Sequence, residues 1–521
     1  MNIKAQKRWA HLDSMREGVL KRARNASQLT IPSILPEANK DENSDMPQPY
    51  QSLGARGVNN LASKLLLALL PPSQTFFRFS VDAEVADEIQ DKTKVEDALR
   101  RRENKVMKWI ERSNLRVAMF NALKQLIVTG NALLYIPKKG KMRTFRLDQF
   151  CVVRDPNGVM TETYIREEAD PLTLSKEVRA ACDITEANTA SGASGQKDQK
   201  VVSIYTVVRL KDGGKMVEYW QEINDIEVPG SRGQAKADES PYLVMRWSAT
   251  DNENYGRGHV EEYIGDLRSL EGLSMAIVGF SAVAAKVIFL VHPNATTSTD
   301  DLTAAETGDF VTGALKDIEA LQLDKYADFQ VANSVVQDLV MRLSHAFLLT
   351  TGTVRDAERV TAEEIRMQAQ ELEDVLGGVY TVQSQETQIP MLNRIISVME
   401  STSDLARLPK DVGVEPTIVT GFEALGRGHE LNRIRSLFAD IAQTFGPEVL
   451  QTYVSISDAL KKFAQGHNVD IEDLFKDEET VAQEQQQAQA QQMAAEVAKG
   501  AAPAMASGVV EQMGQGNAPQ Q

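Results

Sequence analysis

The sequence predicts an α+β protein that is mainly α. Three observations carry this. Long stretches repeat apolar residues every three or four positions, the spacing of one helix face. Between residues 132 and 247, short β-branched and aromatic runs are separated by turn residues, the pattern of strands and hairpins. From Tyr255 to Thr350 the chain reads as a helix, a polar excursion and a returning helix.

The elements follow in order. Residues 1–28 read as one helix with Trp9, Leu12, Met15 and Val19 on a face. Seven Lys/Arg stand there against two acids, in a chain whose net charge is −16. This basic face is either solvated or meets an acidic neighbour or DNA. Residues 30–50 are rich in Pro, Asp and Asn and form a loop. Helices are predicted over Gly54–Leu70, Val95–Ile110 and Leu115–Val128, with Gly130-Asn131 as the stop of the third. Strands are expected at Ala132–Ile136, Met142–Leu147, Phe150–Arg154, Val159–Arg166, Val201–Leu210, Met216–Ile223 and Leu243–Trp247. Asp155-Pro156-Asn157-Gly158 is a turn, and Asp212-Gly213-Gly214 a hairpin signal. Asn188–Lys200 reads as a flexible loop.

The hairpin that follows is the organising feature. Its first half is amphipathic through Val260, Tyr263, Ile264, Leu267, Leu270 and Leu273. From Leu273 to Val291 the single charge is Lys286, and Pro293 ends the run. The return helix, about Asp328 to Leu349, carries a stripe of Val331, Val335, Val336, Leu339, Val340, Leu343, Ala346 and Phe347. A helix apolar all round needs cover on all sides, and one return helix is too little. Lipid is one option, but Lys286 at the helix centre would cost about 2.5–3.5 kcal/mol there. Small residues at Gly279, Ala282, Ala284 and Ala285 would instead admit a neighbouring backbone.

Beyond the hairpin lies a short loop, Thr350–Val360, with Arg355 and Arg359. Thr361 and Glu364 form a capping box for a long helix reaching about Met399, with kinks expected at Gly377-Gly378 and Pro390. A short strand at Val414–Val419 precedes helices at His429–Thr444, Pro447–Phe463 and Ile471–Lys476. From Glu479 the chain is Gln/Ala-rich, then Gly/Ala/Pro-rich, and is read as partly helical, then disordered.

Composition narrows the function. With 42% hydrophobic and 25% charged residues, 521 residues build a sizeable core and several domains. The acidic balance argues against a protein that coats nucleic acid, though not against DNA passing through a confined space. Cys151 and Cys182 alone exclude a disulfide scaffold and a Cys-rich zinc site, and fit a reducing cytoplasm. The N-terminus carries no signal peptide pattern. There is no GxxxxGK[ST], HExxH or GxSxG, and the six histidines lack ligand spacing. Gly256-Arg257-Gly258 and Gly426-Arg427-Gly428 read as turns that open helices. No catalytic, cofactor or metal residues are assigned, and an enzyme is not expected.

Several blocks then resemble one family in its own order: GARGVNNLASKLLLALLPP at 54–72, ALKQLIVTGNALLYIP at 122–137, YGRGHVEEYIGDLRSLEGL at 255–273, TGDFVTG at 307–313, ERVTAEEIRMQAQELEDVLGGVY at 358–380 and VEPTIVTGFEALGRG at 414–428. The chain, over about 1–475, resembles the portal proteins, or head-to-tail connectors, of short-tailed podoviruses of the Autographiviridae kind. The resemblance implies a ring, expected to hold twelve subunits, at one vertex of the virion capsid, assembled in the host cytoplasm. Double-stranded DNA is packaged and ejected through it. The implied partners are the terminase large subunit, scaffolding and major capsid proteins, the tail adaptor and internal core proteins, with no membrane and no cofactor.

It also implies a division of the chain: an N-terminal helix and loop at 1–50, an α+β wing at 51–254, a first stem helix at 255–291, a clip at 292–328 and a second stem helix at 329–349. A tunnel loop or valve at 350–360 follows, then a kinked helix joining wing and crown at 361–428, crown helices at 429–478 and a tail at 479–521. Arg355 and Arg359, and less strongly Lys286, become candidates for contact with DNA in the channel. The two arginines pair instead with Asp356, Glu358 or Glu363 if they face the protein. Ile277, Gly279, Phe280, Ala282 and Ala284 become candidates for packing between subunits. The competing readings are another oligomeric phage assembly protein, an adaptor or scaffold, or a membrane pore.

Overall fold

A computed structural model describes residues 4–37, 44–71, 75–81, 92–184, 190–191, 200–284, 288–314, 316–321, 326–349, 377–379, 382–406, 414–418 and 436–446. Contacts divide the chain into two compact units, 1–422 and 423–521.

The single N-terminal helix expected from the sequence is two: α1 (Ala5–Met15) and α2 (Glu17–Gln28). The break falls at Arg16, whose φ of −99° and ψ of 10° leave the helical region. Its guanidinium is 2% exposed and turns inward to the carbonyls of Leu147, Asp148 and Phe150, with Asp13 as its ion-pair partner. Trp9 and Leu12 are buried as expected, whereas Met15 is exposed. α3 (Leu53–Leu69) follows, with Leu61, Leu65 and Leu69 fully buried. Its start is set by Gln51, which accepts from Gly54 N at 2.8 Å.

β1 (Phe77–Val81) was not legible in the sequence; it pairs antiparallel with β14, defined below, across most of the unit. α4 (Lys92–Arg112) and α5 (Leu115–Thr129) come next. Gly130 ends α5 with φ of +78°, as the Gly-Asn signal implies.

β2 (Asn131–Tyr135), β3 (Arg143–Phe145), β4 (Phe150–Arg154) and β5 (Met160–Ala169) follow the expected order. After α6 (Lys176–Ala181) and the two-residue β6 (Ala190–Ser191) come the long hairpin β7 (Lys200–Lys211) and β8 (Met216–Ile223), then β9 (Ile226–Glu227), β10 (Gly233–Lys236) and β11 (Tyr242–Arg246). The Asp212–Gly214 turn has φ of +63° at Gly213 and +97° at Gly214, backbone that glycine adopts freely. One antiparallel sheet runs β10-β8-β7-β5-β4, with β6 on β7 and β9 on β8. A second runs β11-β2-β3. Trp9 of α1 packs on the larger sheet among Tyr164, Tyr205 and Trp220.

The hairpin comprises α7 (His259–Glu262), α8 (Ile264–Ala284), β12 (Ile288–Val291), α9 (Thr299–Ala304), β13 (Ile318–Leu321) and α10 (Tyr326–Ala346). The first long helix therefore ends before the 291 expected from the sequence. Ile288–Val291 forms a strand paired with Ile318–Leu321. Four consecutive β-branched or bulky apolar residues favour a strand once a partner is available.

After 377–379 the chain enters a π-helical turn, Ser384–Gln388, then α11 (Ile389–Ser401) and β14 (Val414–Ile418). The irregular turn sits directly before Pro390, where the sequence places a kink: proline donates no backbone N–H and disturbs the turn before it. The main core joins α3, α4, α5, α8, α10 and α11 through residues such as Leu65, Leu123, Leu267, Leu343 and Leu392. In the second unit, 436–445 is helical and Gly446, at φ of +90°, ends the helix.

Candidate functional site: an unpaired helical hairpin and its anchors

α8 and α10 pack along one face only. Leu267, Leu270, Leu339 and Leu343 are buried between them and the core, and Arg342 meets Asp266 at 3.5 Å. The same helices present Met275, Val278, Val331, Val335, Val340 and Met341 to solvent, with Met275 56% and Val331 66% exposed. Large apolar side chains left exposed along both helices mark surfaces that something else covers. Among the described residues no helix is long and apolar enough to cross a membrane.

Ile277 and Phe280 are half-buried, while Gly279 and Ala282 are exposed. A Cβ at Gly279 would meet nothing within 4 Å in the chain itself. Ala284 is the last residue of α8, but its side chain lies outside the described residues. Lys286, Arg355 and Arg359 also lie outside them.

The root of the hairpin is tied to the core by polar side chains. Asn60 of α3 donates to the carbonyls of Phe347 and Leu348 at 3.0 and 2.9 Å, and Lys64 donates to Leu348 at 2.8 Å. His259 binds the Ala346 carbonyl at 2.9 Å through Nε2. His259 thus serves the last carbonyl of α10, which no intrahelical donor reaches, Asn60 and Lys64 serve the two carbonyls just beyond it, and Lys64 adds a favourable charge at that helix end. His259 is 3% exposed and lies among Trp247, Tyr263 and Phe347; burial holds its pKa below the ordinary histidine value. Gly57 lets α3 approach Phe347, since a Cβ there would sit 2.5 Å from the ring.

Backbone meets backbone where the 122–137 and 255–273 blocks touch. A Cβ on Gly130 would lie 2.5 Å from Gly258 N and 2.6 Å from Gly256 O. Gly258 is the N-cap residue of α7, as the reading of Gly256-Arg257-Gly258 as a helix-opening turn implies.

Residues after the 350–376 segment are fixed by a second set. Arg246, 5% exposed, pairs with Glu386 in the π-helical turn. Gln383 donates to the Arg246 carbonyl at 2.6 Å, and Gln388 to the Leu69 carbonyl at 2.8 Å. Arg154 lies close by, donating to Gly158 O and Val244 O. Burial first, then the Arg246 charge, lower its pKa to about 10, against the opposing pull of Glu386. Sequence reading missed this cluster because its members lie up to 319 positions apart.

The far end of the hairpin is a short sheet and a loop. The Asp317 carboxylate accepts from the backbone and hydroxyl of both Thr296 and Thr297 at 2.9–3.1 Å, and these bonds hold it below the usual carboxylate range. Phe310, beyond it, is completely exposed.

Much of the basic N-terminal segment is occupied within the chain. Lys4 donates to Asp225 O, Arg8 pairs with Glu162, Arg16 with Asp13, Arg22 with Glu261, and Arg24 donates to Pro36 O. Of the cysteines, Cys151 is buried and its thiol is pushed up to about 12 by burial, which keeps it protonated. Among the described residues no group of three or more His, Cys, Asp or Glu is placed to hold a metal ion.

Comparison with known proteins matches residues 2–474 to the family described as "Bacteriophage head to tail connecting protein". The chain is 43% identical to the portal protein of Enterobacteria phage T3 over 422 residues, covering 79% of this chain and 77% of that protein. It is 42% identical to the portal protein of Escherichia phage T7, with the same coverage. Among solved structures, a chain in the neck of an empty GTA particle computed with C6 symmetry aligns over 80% of this chain and 89% of its own, at 11% identity and a TM-score of 0.32.

Proposed function

This chain belongs to the family of bacteriophage head-to-tail connecting proteins, the portal proteins, and we propose that its α8–α10 hairpin is the stem by which identical subunits close into a ring. As a phage portal it forms the channel at a capsid vertex and is a component of the virion.

The observation that carries the stem reading is the exposed face of Met275, Val278, Val331, Val335 and Met341. In a ring each subunit contacts its neighbours head to tail, so two different faces of one hairpin are covered by copies of the same helices. Gly279 and Ala282 keep the approach open for a neighbouring helix, and Ile277, Phe280 and Ala284 complete the packing surface. Residues 51–254 are the wing, 292–328 the clip, 350–360 the channel loop and 429–478 the crown, in a ring of twelve. Double-stranded DNA passes through, and the clip meets first the terminase large subunit and then the tail adaptor. Scaffolding, major capsid and internal core proteins contact the remaining surfaces, and assembly takes place in the host cytoplasm. The protein is a conduit without catalysis of its own; nucleotide hydrolysis belongs to the packaging motor. Anchoring of the end of α10 through Asn60, Lys64 and His259 supports a fixed point of entry to the channel loop.

Negative-stain microscopy of detergent-free protein tests the reading. Rings with a central hole about as wide as a DNA duplex are expected. Gly279→Glu is expected to yield folded subunits that do not close rings. Monomeric wild-type protein would sink the proposal, and intact rings from Gly279→Glu would show that the wrong face had been assigned.

A further inference from the structure

The tip of the hairpin is built to hold one aromatic side chain in water. Its base is fixed by Asp317 on Thr296 and Thr297, by Ala314 N on Thr297 Oγ1 at 3.0 Å, and by His292 N on Asp317 O at 2.9 Å. Gly313 packs so closely that a Cβ would stand 2.5 Å from Thr297 Oγ1. Beyond this base a second turn closes on itself: Asp309 N donates to Glu306 O at 3.1 Å, and Glu306 N to Asp309 Oδ2 at 2.8 Å. Gly308 supplies the φ of +108° that this turn needs. The next residue is Phe310, completely exposed. Leu302 on α9 is also exposed nearby in the chain.

The charge of the segment selects the partner. Residues 292–321 hold six acids and one lysine, a net of −5, in 30 of 521 residues. Asp300, Asp301, Glu306 and Asp309 precede Phe310 closely in sequence. Such a tip is repelled by DNA phosphates. It attracts a surface that combines an apolar socket with a basic border, and aromatic side chains seated in sockets dominate binding energy at protein interfaces.

We propose that Phe310 is the anchor with which this tip docks a protein partner, entering an apolar socket rimmed by Lys and Arg. The proposal rests on the assignment of 292–328 as the docking end of the ring, and adds the contact residue and the chemistry of the partner.

The test uses full-length rings of wild type, Phe310→Ala, Phe310→Trp and Asp300→Asn/Asp301→Asn. Each is titrated with the purified terminase large subunit and, separately, the purified tail adaptor of the same phage, at low and at high salt. Phe310→Ala should weaken at least one of the two by about thirty-fold, while Phe310→Trp should stay within a few-fold. Asp300→Asn/Asp301→Asn should slow association at low salt and flatten its salt dependence. Ring formation should be unchanged throughout. Wild-type affinity of Phe310→Ala for both proteins overturns the proposal. Loss of rings in Phe310→Ala also overturns it, by making Phe310 a contact between subunits. Failure of wild-type rings to bind either protein would defeat the docking assignment itself, and the proposal with it.

Discussion

The side-chain amide of Asn131 grips the peptide of Gly256 from both sides: Nδ2 donates to Gly256 O at 2.9 Å, and Gly256 N donates to Oδ1 at 2.8 Å. Asn131 is 1% exposed, so water replaces neither bond if the side chain is lost. Asn131→Ala should therefore cost about 2–4 kcal/mol, from two orphaned backbone groups, read as a lower denaturation midpoint. Gly130→Ala should be at least as damaging because φ of +78° and the contact with Gly258 both oppose a Cβ. Gly265→Ala, where a Cβ meets nothing within 4 Å inside α8, is the control. It should be neutral or stabilise by about 0.5–1 kcal/mol.

His259 makes stability depend on pH in a known direction. Its folded pKa lies below the free value, chiefly through burial. Below the unfolded pKa of about 6.5 the unfolded chain takes up a proton that the folded chain refuses, so stability falls with pH across that window and levels off below the folded pKa. His259→Gln should remove this slope while lowering stability at pH 7.5. Denaturation midpoints of both proteins at pH 7.5 and 5.5 check this; equal slopes would assign the pH dependence to another group.

Glu386 balances buried Arg246 and half-buried Arg154. Glu386→Ala leaves Arg246 and Arg154 uncompensated and should cost about 3–5 kcal/mol. Arg246→Met combined with Glu386→Leu should recover a large part of that loss. A double-mutant cycle on the denaturation free energy gives the coupling; near-zero coupling would mean that the pair contributes nothing in solution.

Arg355 and Arg359 carry the proposed contact between the channel loop and DNA. Changing both to Ala should leave ring formation intact and reduce DNA packaging or retention, measured as DNA content of purified particles. Unchanged DNA content would return both arginines to the alternative of pairing with Asp356, Glu358 or Glu363.

What the sequence reveals is local. The strands from Phe150 to Ile223, the stop at Gly130 and the turn at Gly213-Gly214 each declare themselves within a few residues, because period, β propensity and positive φ are local properties. β1 does not: Phe77–Val81 is short, follows two prolines, and finds its partner only at Val414–Ile418. The strand at Ile288–Val291 is hidden by its continuity with an apolar helix. Buried Arg16 looks like one more charge on a basic helix until Leu147 and Phe150 arrive to receive it. The exposed face of α8 was anticipated as an apolar surplus. The clamp on Phe347 and Leu348 was not, because Asn60 and Lys64 lie 287 and 284 residues away.

The pairing of Val81 with Val414 has a consequence in time. Phe77 is fully buried, in the same core as Leu392 and Ile395 of α11. A ribosome must therefore release the chain beyond Ile418 before the strand made near its beginning can be paired, and pairing over such a separation is intrinsically slow. Throughout that interval the hairpin with its exposed apolar face already exists as nascent chain. Subunits synthesised side by side on one message are thus at risk of associating before they are finished, so slowing translation before codon 414 should raise the yield of aggregates relative to rings.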